Sequence, residues 1–246
     1  MEKQSFCEKL ERALSENLVF ALDERQKEQM FVLSERLVEA NKVMNLTSIV
    51  DEDGIILRHL VDSLFISDMM PTGASLIDVG CGAGFPSLPL AIFRPDVKIV
   101  ALDSTEKRIR YVDETARALG LDNVRAIAAR AEELAHLPDY RERFDVATAR
   151  AVAALPVLCE LTLPFVKVGG SLVAMKAKDA RSELEGSRRA ITTLAGAGSW
   201  ENAEIKTAQL SGFGICEERA IIEIKKLSKT PNTYPRKYAQ IKKSPL

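Results

Sequence analysis

The stretch Asp78-Val79-Gly80-Cys81-Gly82-Ala83-Gly84-Phe85-Pro86 is the first place where residue types and spacing suggest chemistry. Glycines let a backbone turn tightly and come close to a ligand. A dinucleotide loop of the form G-x-G-x-x-G would need glycine at position 85, where this chain has Phe85. Pro86 follows, and proline has no N–H to offer a phosphate at a helix start. A nucleotide-hydrolase loop would need a lysine after its last glycine, and none follows. The loop therefore suits a nucleoside-like ligand without a pyrophosphate, of which S-adenosylmethionine is the common one. Its amino-acid end would lie over the glycines. Asp103, in "IVALDS", ends the next apolar run and is placed to accept from ribose hydroxyls. "RAEE", Arg130 to Glu133, follows the third run and is placed beside the adenine. An Asp at a strand end is often only a helix cap. A glycine loop and two acids on three successive strand ends are much harder to obtain by chance.

These residues need a frame that brings three strand ends together. Short apolar runs predict strands at Leu76–Val79, Lys98–Leu102, Val124–Ala128, Phe144–Thr148 and Ser171–Met175. Helical stretches separate them, at Ser87–Phe93, Glu106–Leu119, Ala131–Leu134 and Ala153–Val166. Alternation of this kind implies a parallel sheet with helices on both faces. Two later strands, near Ile205–Leu210 and Arg219–Lys225, lack a full helix between them and predict a hairpin closing one edge. The expected fold is α/β: a seven-stranded, mostly parallel Rossmann-like sheet with helices on both faces and an N-terminal helical extension. In that extension residues 5–44 read as helical, with Met30, Leu33, Leu37, Ala40 and Met44 three or four apart. Asn45 to Ser48 break the pattern. A second helix begins near Asp51–Asp53, carries Ile56, Leu60 and Leu64, and stops by Pro71-Thr72-Gly73. The expected division is a helical extension over 1–72, packed on an S-adenosylmethionine-dependent domain over 73–246.

Composition narrows the function classes. With 46% apolar and 28% charged residues, the chain reads as an ordinary globular protein. No apolar run reaches the roughly 18–20 residues of a membrane helix. The charged N-terminus lacks the apolar centre of a signal peptide, so a cytoplasmic location is the default. Cys7, Cys81, Cys159 and Cys216 are far apart, and His59 and His136 show no ligand spacing, so no metal is expected. Charge is uneven: residues 225–246 sum to +7 and the rest to −8. Arg236, Lys237, Lys242 and Lys243, interleaved with Tyr234 and Tyr238, suit phosphate contact and base stacking. Lys107, Arg108 and Arg110 extend that surface, although alone they read as a solvated helix face.

Taken together, the motifs resemble the glucose-inhibited-division-protein-B (RsmG) family, bacterial methyltransferases of small-subunit ribosomal RNA. The resemblance rests on "MNLTSI" (44–49), "HLVDSL" (59–64), "DVGCGAGFPSLPLAI" (78–92), "LDSTEKRIRYV" (102–112), "ARAEEL" (129–134), "FDVATARAVAAL" (144–155), "GGSLVAMKA" (169–177) and "YPRKYAQIKKSPL" (234–246). It implies methyl transfer from S-adenosylmethionine to N7 of one guanine of 16S rRNA, guanine 527 of the family's target, near the decoding site. It implies cofactor contacts at Gly80, Phe85, Ala131, Glu132 and Arg150, beside Asp103. A monomer working on 16S rRNA or the small subunit is expected. Two departures stand out: Ser87 and Ala177 take positions where the family usually has glycine.

Guanine N7 carries a lone pair, so no general base is needed. Arg150 is expected to position substrate, its bland alternative being a salt bridge to Asp78 or Asp103. Phe85 either stacks on cofactor or base, or belongs to the core. Lys176 either meets RNA phosphate or guanine O6, or is an exposed strand end. His59 and Asp62 share a helix face and are expected to pack the N-terminal helices over the site without a catalytic role. Competing readings are a small-molecule methyltransferase, which predicts an apolar lid, and a silent RNA-binding assembly protein. A nicotinamide oxidoreductase is disfavoured by Phe85 and Pro86.

Overall fold

The computed structural model describes residues 1–177 and 179–246. Seven strands form one sheet: β1 (Ser75–Val79), β2 (Lys98–Asp103), β3 (Val124–Ala128), β4 (Phe144–Arg150), β5 (Val166–Lys176), β6 (Glu204–Gly212) and β7 (Ile215–Lys225). Their order is β3-β2-β1-β4-β5-β7-β6, with β1 to β5 parallel and β7 antiparallel to both neighbours. The expected mostly parallel sheet with an edge hairpin is what forms. Strand order reverses between β1 and β4, and ligands in such sheets bind beyond the strand ends at that point.

Helices cover both faces. On one lie α1 (Lys3–Asn17), α2 (Glu24–Met44), α3 (Glu52–Gly54), a π-helical segment Ile55–Val61, α4 (Asp62–Leu64), α5 (Ser87–Phe93) and α6 (Glu106–Ala118). On the other lie α7 (Ala131–Leu134), α8 (Leu155–Thr162), α9 (Ala180–Gly186) and α10 (Arg188–Ala195). A short α11 (Tyr238–Lys243) follows the last strand. No helix of the described residues is long and apolar enough to cross a membrane.

The single helical stretch read over 5–44 is in fact two helices. Asp23 starts the second through a capping box, its carboxylate accepting from Gln26 N and its own N–H donating to Gln26 Oε1. Asn45, in left-handed conformation, ends it where the sequence broke pattern. Asp51 accepts from Gly54 N and caps the next helix as expected. Helices α9, α10 and α11 went unread in the sequence, and β5 and β7 start earlier than read.

Side-chain alternation along the strands decides what reaches each face. Val146 points to the N-terminal-helix side, so Thr148 and Arg150 do also. Leu172 and Ala174 point to the other side, and Lys176 follows them. Ile221 faces the N-terminal helices, and Arg219 with it. Ile222 and Ile224 face away, and Lys226 continues their row into the core.

The basic segment is less free than its composition suggests. Lys226 is fully buried, donating to Glu142 and to the carbonyls of Leu163 and Val166. Arg236 is bound to the buried carboxylate of Glu160 through its backbone N–H, Nε and Nη2, at 2.8, 2.9 and 2.6 Å. Lys237, Lys242 and Lys243 are exposed. Removing one partner of a buried pair leaves an uncompensated charge. Arg236→Ala is therefore expected to destabilise the protein by about 3 kcal/mol in urea denaturation. Lys242→Ala should change it by less than about 0.5 kcal/mol.

Candidate active site

Two clefts open at the carboxyl ends of the parallel strands. The first, of about 310 Å³, is lined by Gly80, Asp103, Ala131 and Glu132, together with Arg108, Arg130 and Tyr238. The second, of about 440 Å³, is lined by Arg58, His59, Asp62, Arg150, Lys176 and Arg219. Ala151 lines both.

The loop after β1 is held by Gly80 and Cys81, whose N–H groups donate to Leu102 O on β2. Gly80 has φ +78°, and a Cβ there would meet Val152 Cγ2 at 2.7 Å. Only glycine suits such a position. Asp103 accepts from Gly82 N at 3.1 Å and from Thr105 N at 2.8 Å, with Arg108 at 3.6 Å. Four lone-pair sites on a carboxylate leave capacity for a ligand. Glu132 meets Arg130 Nε at 3.1 Å. Gly80, Asp103, Ala131 and Glu132 thus come together as the sequence predicts.

Phe85 and Arg150 do not join them. Phe85 is buried and lines neither cleft; its ring stacks on His59 with centroids 4.6 Å apart. Arg150 opens on the second cleft because its strand parity sends it to the N-terminal-helix side. Its partner is Asp62, at 2.8 Å, and neither Asp78 nor Asp103. Asp62 also takes Arg219 Nε at 2.7 Å, and Arg219 in turn pairs with Glu217. Arg219 escaped the sequence reading, although its spacing from Ile221 places it on this face.

Lys176 donates to Ala153 O at 2.8 Å and pairs with Glu183 at 2.7 Å, so it is not a bare strand end. Ala177 is exposed and is not among the described left-handed residues; Asp179 is. An alanine there carries no backbone penalty.

Guanidinium groups only donate. The 3.3 Å contact of Arg150 Nη2 with His59 Nδ1 therefore makes Nδ1 the acceptor. The proton sits on Nε2, which donates to Thr47 Oγ1 at 3.0 Å. Burial, and then Arg150, push the His59 pKa down to about 3, so the ring is neutral. Ser87 is buried and its Oγ donates to Asp78 Oδ2 at 2.5 Å. Asp78 Oδ1 has no partner among the described residues. Burial raises the Asp78 pKa to about 6, against the lowering effect of Ser87. Among the described residues no cluster of His, Cys, Asp and Glu is arranged to hold a metal ion.

Comparison with known proteins adds a family. Residues 26–209 match the family model described as GidB, rRNA small subunit methyltransferase G. A ribosomal RNA small subunit methyltransferase G from Acetivibrio thermocellus is 43% identical, over 92% of this chain and 90% of its own length. Its namesake from Desulfitobacterium hafniense is 42% identical over 97% of each chain. That from Staphylococcus carnosus is 45% identical over 92% of each. Among solved structures, a SAM-dependent O-methyltransferase from Thermotoga maritima aligns with TM-score 0.51 at 16% identity, covering 79% of this chain and 73% of that one. The cyclase SpnF aligns at 0.55 and 17%, covering 86% and 99%. These last two likenesses speak for the fold alone.

Two pH effects of opposite sign follow. His59 has a folded pKa below its ordinary 6.5, so stability is lost as pH falls from about 6.5. Its imidazole NMR signals should show no titration between pH 8 and pH 5. Asp78 has a folded pKa above its ordinary 3.8, so stability falls as pH rises from about 4 to 6. Asp78→Asn should remove about 3 kcal/mol of that fall, read by urea denaturation at the two ends of the window.

Proposed function

The chain belongs to the rRNA small subunit methyltransferase G family, and on that premise we propose that it methylates N7 of a guanine in 16S rRNA, position 527 of the family's target. The observation that carries the reading is one cleft in which Gly80, Asp103 and Glu132 arrive in chain order from β1, β2 and the turn after β3. The residues present fit S-adenosylmethionine. There is no room for a Cβ at Gly80, Asp103 has unspent lone pairs, and Pro86 offers no N–H to a phosphate. Bound there, the cofactor supplies an electrophilic methyl group.

The chain's own residues then have distinct tasks. Gly80 lets the backbone lie against the cofactor's amino-acid end. Asp103 accepts from the ribose, and Ala131 and Glu132 meet the adenine. The second cleft receives the guanine, unstacked from its RNA as base-modifying enzymes require. Arg150, fixed by Asp62, His59 and the carbonyl of Arg58, forms its rigid wall. Lys176 lines its edge, and with two N–H groups held by Ala153 O and Glu183 it has one left for guanine O6. N7 attacks with its own lone pair, so no residue need remove a proton. Neutral His59, with both nitrogens engaged, is a structural support. Orienting donor and acceptor supplies most of the acceleration, for which well-aligned pairs gain about 7–11 kcal/mol.

In this reading residues 1–72 supply one wall of the acceptor cleft, and 73–246 hold the cofactor and supply the other. The exposed Lys237, Lys242 and Lys243, with Lys107 and Arg110, face RNA phosphate. The protein acts in the cytoplasm as a monomer.

Nucleoside mass spectrometry of small-subunit rRNA should show 7-methylguanosine lost on deletion of the gene and restored by the wild-type chain; unchanged levels would end the proposal. Gly80→Ala should weaken S-adenosylmethionine binding more than about tenfold in calorimetry, because the new Cβ meets Val152 in a left-handed backbone. The triple variant Lys237→Ala, Lys242→Ala, Lys243→Ala should lower the salt slope of 16S rRNA binding by about 2. An unchanged slope would remove the tail from the RNA surface.

A further inference from the structure

The first cleft lacks one thing an adenine needs, and the C-terminal segment brings it. Adenine has polar edges and two apolar π faces. Glu132 and Arg130 offer charge and hydrogen bonds to an edge. Phe85, a cofactor contact implied by the resemblance, is buried against His59. Among the described residues lining this cleft, Tyr238 is the aromatic one, and Leu161 shares the cleft with it.

We propose that Tyr238 is a cofactor-binding residue whose ring forms a wall of the adenine site. This rests on the reading of the first cleft as the S-adenosylmethionine site. The tail's tyrosine is thereby withdrawn from RNA stacking and assigned to the cofactor.

Three further observations support it. The Arg130 guanidinium lies 4.8 Å from the centre of the Tyr238 ring, so the ring is tied to the residue beside Ala131 and Glu132. The chain leading to it is clamped: Arg236 to Glu160, His136 Nε2 to Pro235 O at 2.8 Å, and Arg141 Nη1 to Tyr234 O at 2.9 Å. Ile241, on the next turn of α11, is fully buried. A ring held this firmly loses little further freedom when a ligand arrives, which is the condition for an aromatic wall to favour binding. The Tyr238 hydroxyl makes no hydrogen bond to the described residues, so the ring itself is the functional part.

The test is calorimetric titration of S-adenosylhomocysteine into the full-length wild type and Tyr238→Phe, Tyr238→Leu and Tyr238→Ala, with the ligand-free melting temperature of each. Phe should bind within about twofold of wild type, Leu more weakly, and Ala about tenfold or more weakly, the range seen when a base loses an aromatic partner. Melting temperatures should stay together, since the anchors at Arg236 and Ile241 are intact. Wild-type affinity in the Ala variant overturns the proposal; should that variant not fold, wild-type affinity in the Leu variant does so. Equal losses in Phe and Ala assign the effect to the hydroxyl and overturn it as well. Failure of the wild type to bind S-adenosylhomocysteine overturns the cofactor reading, a result separate from any ranking among variants.

Discussion

A buried carboxylate held between two guanidinium groups is the constraint on which the site depends. Asp62 takes Arg150 from the end of β4 and Arg219 from β7, and so joins the N-terminal helices to two strands that flank β5. The desolvation of a buried ion pair is costly, and only good geometry with further hydrogen bonds offsets it. Here both carboxylate oxygens are used, and Arg150 also donates to the Arg58 carbonyl and to His59. The arrangement follows from strand parity. Thr148 and Arg150 must share a face with Val146, and Arg219 must share it with Ile221. Without that coincidence the second cleft would have no fixed wall.

The two clefts divide the charge. Asp103 and Glu132 stand in the first, each beside a cation, Arg108 and Arg130 respectively. Arg58, Arg150, Arg219 and Lys176 stand in the second, with Asp62 as its carboxylate. A nucleoside carrying both a cationic sulfur and an amino-acid end is suited to the first, where charges balance, and an electron-rich base joined to phosphates to the second, where lining cations outnumber the lining acid. The sheet supplies most of the second cleft's cations, Arg150 from β4, Lys176 from β5 and Arg219 from β7, while Arg58 and Asp62 come from the N-terminal helices.

Much of this was legible because it depends on local rules. Apolar runs fixed the five parallel strands, and Asn45 and Asp51 marked helix ends through their own backbone bonds. The glycine loop and the acids at strand ends were legible because their spacing is set by the strand–helix repeat. Pair partners were not. Arg150 finds Asp62 across 88 residues, and Arg236 finds Glu160 across 76. Nothing in a linear pattern ranks Asp62 above Asp78 or Asp103. Phe85 in the core was one of its two readings, but its stacking partner was not legible, since His59 comes from another helix. Helix α10 was readable in principle from Ala190, Ile191, Leu194 and Ala195, which form its buried face. Ser87 shows the reverse case: noted only as a departure from a usual glycine, it is the sole described side-chain donor to a buried carboxylate.

The point where the clefts meet is also where the backbone is strained. Ala151 has φ 56°, in the left-handed region that costs an ordinary L-residue about 1–2 kcal/mol. A strand continued past Arg150 would send successive side chains to opposite faces, and the chain would leave the sheet edge. The turn at Ala151 redirects it. Val152 comes over Gly80, while Arg150 keeps its place beside Asp62. Three consecutive residues therefore serve the second cleft, the junction and the glycine loop in turn. In the methyl-transfer reading this matters because donor and acceptor must meet in line, within a tolerance set by the backbone between them. Strain at such a junction persists only where its surroundings over-determine it. Here they do: the Asp62 clamp fixes one side, and the Gly80 turn, bonded to β2, fixes the other.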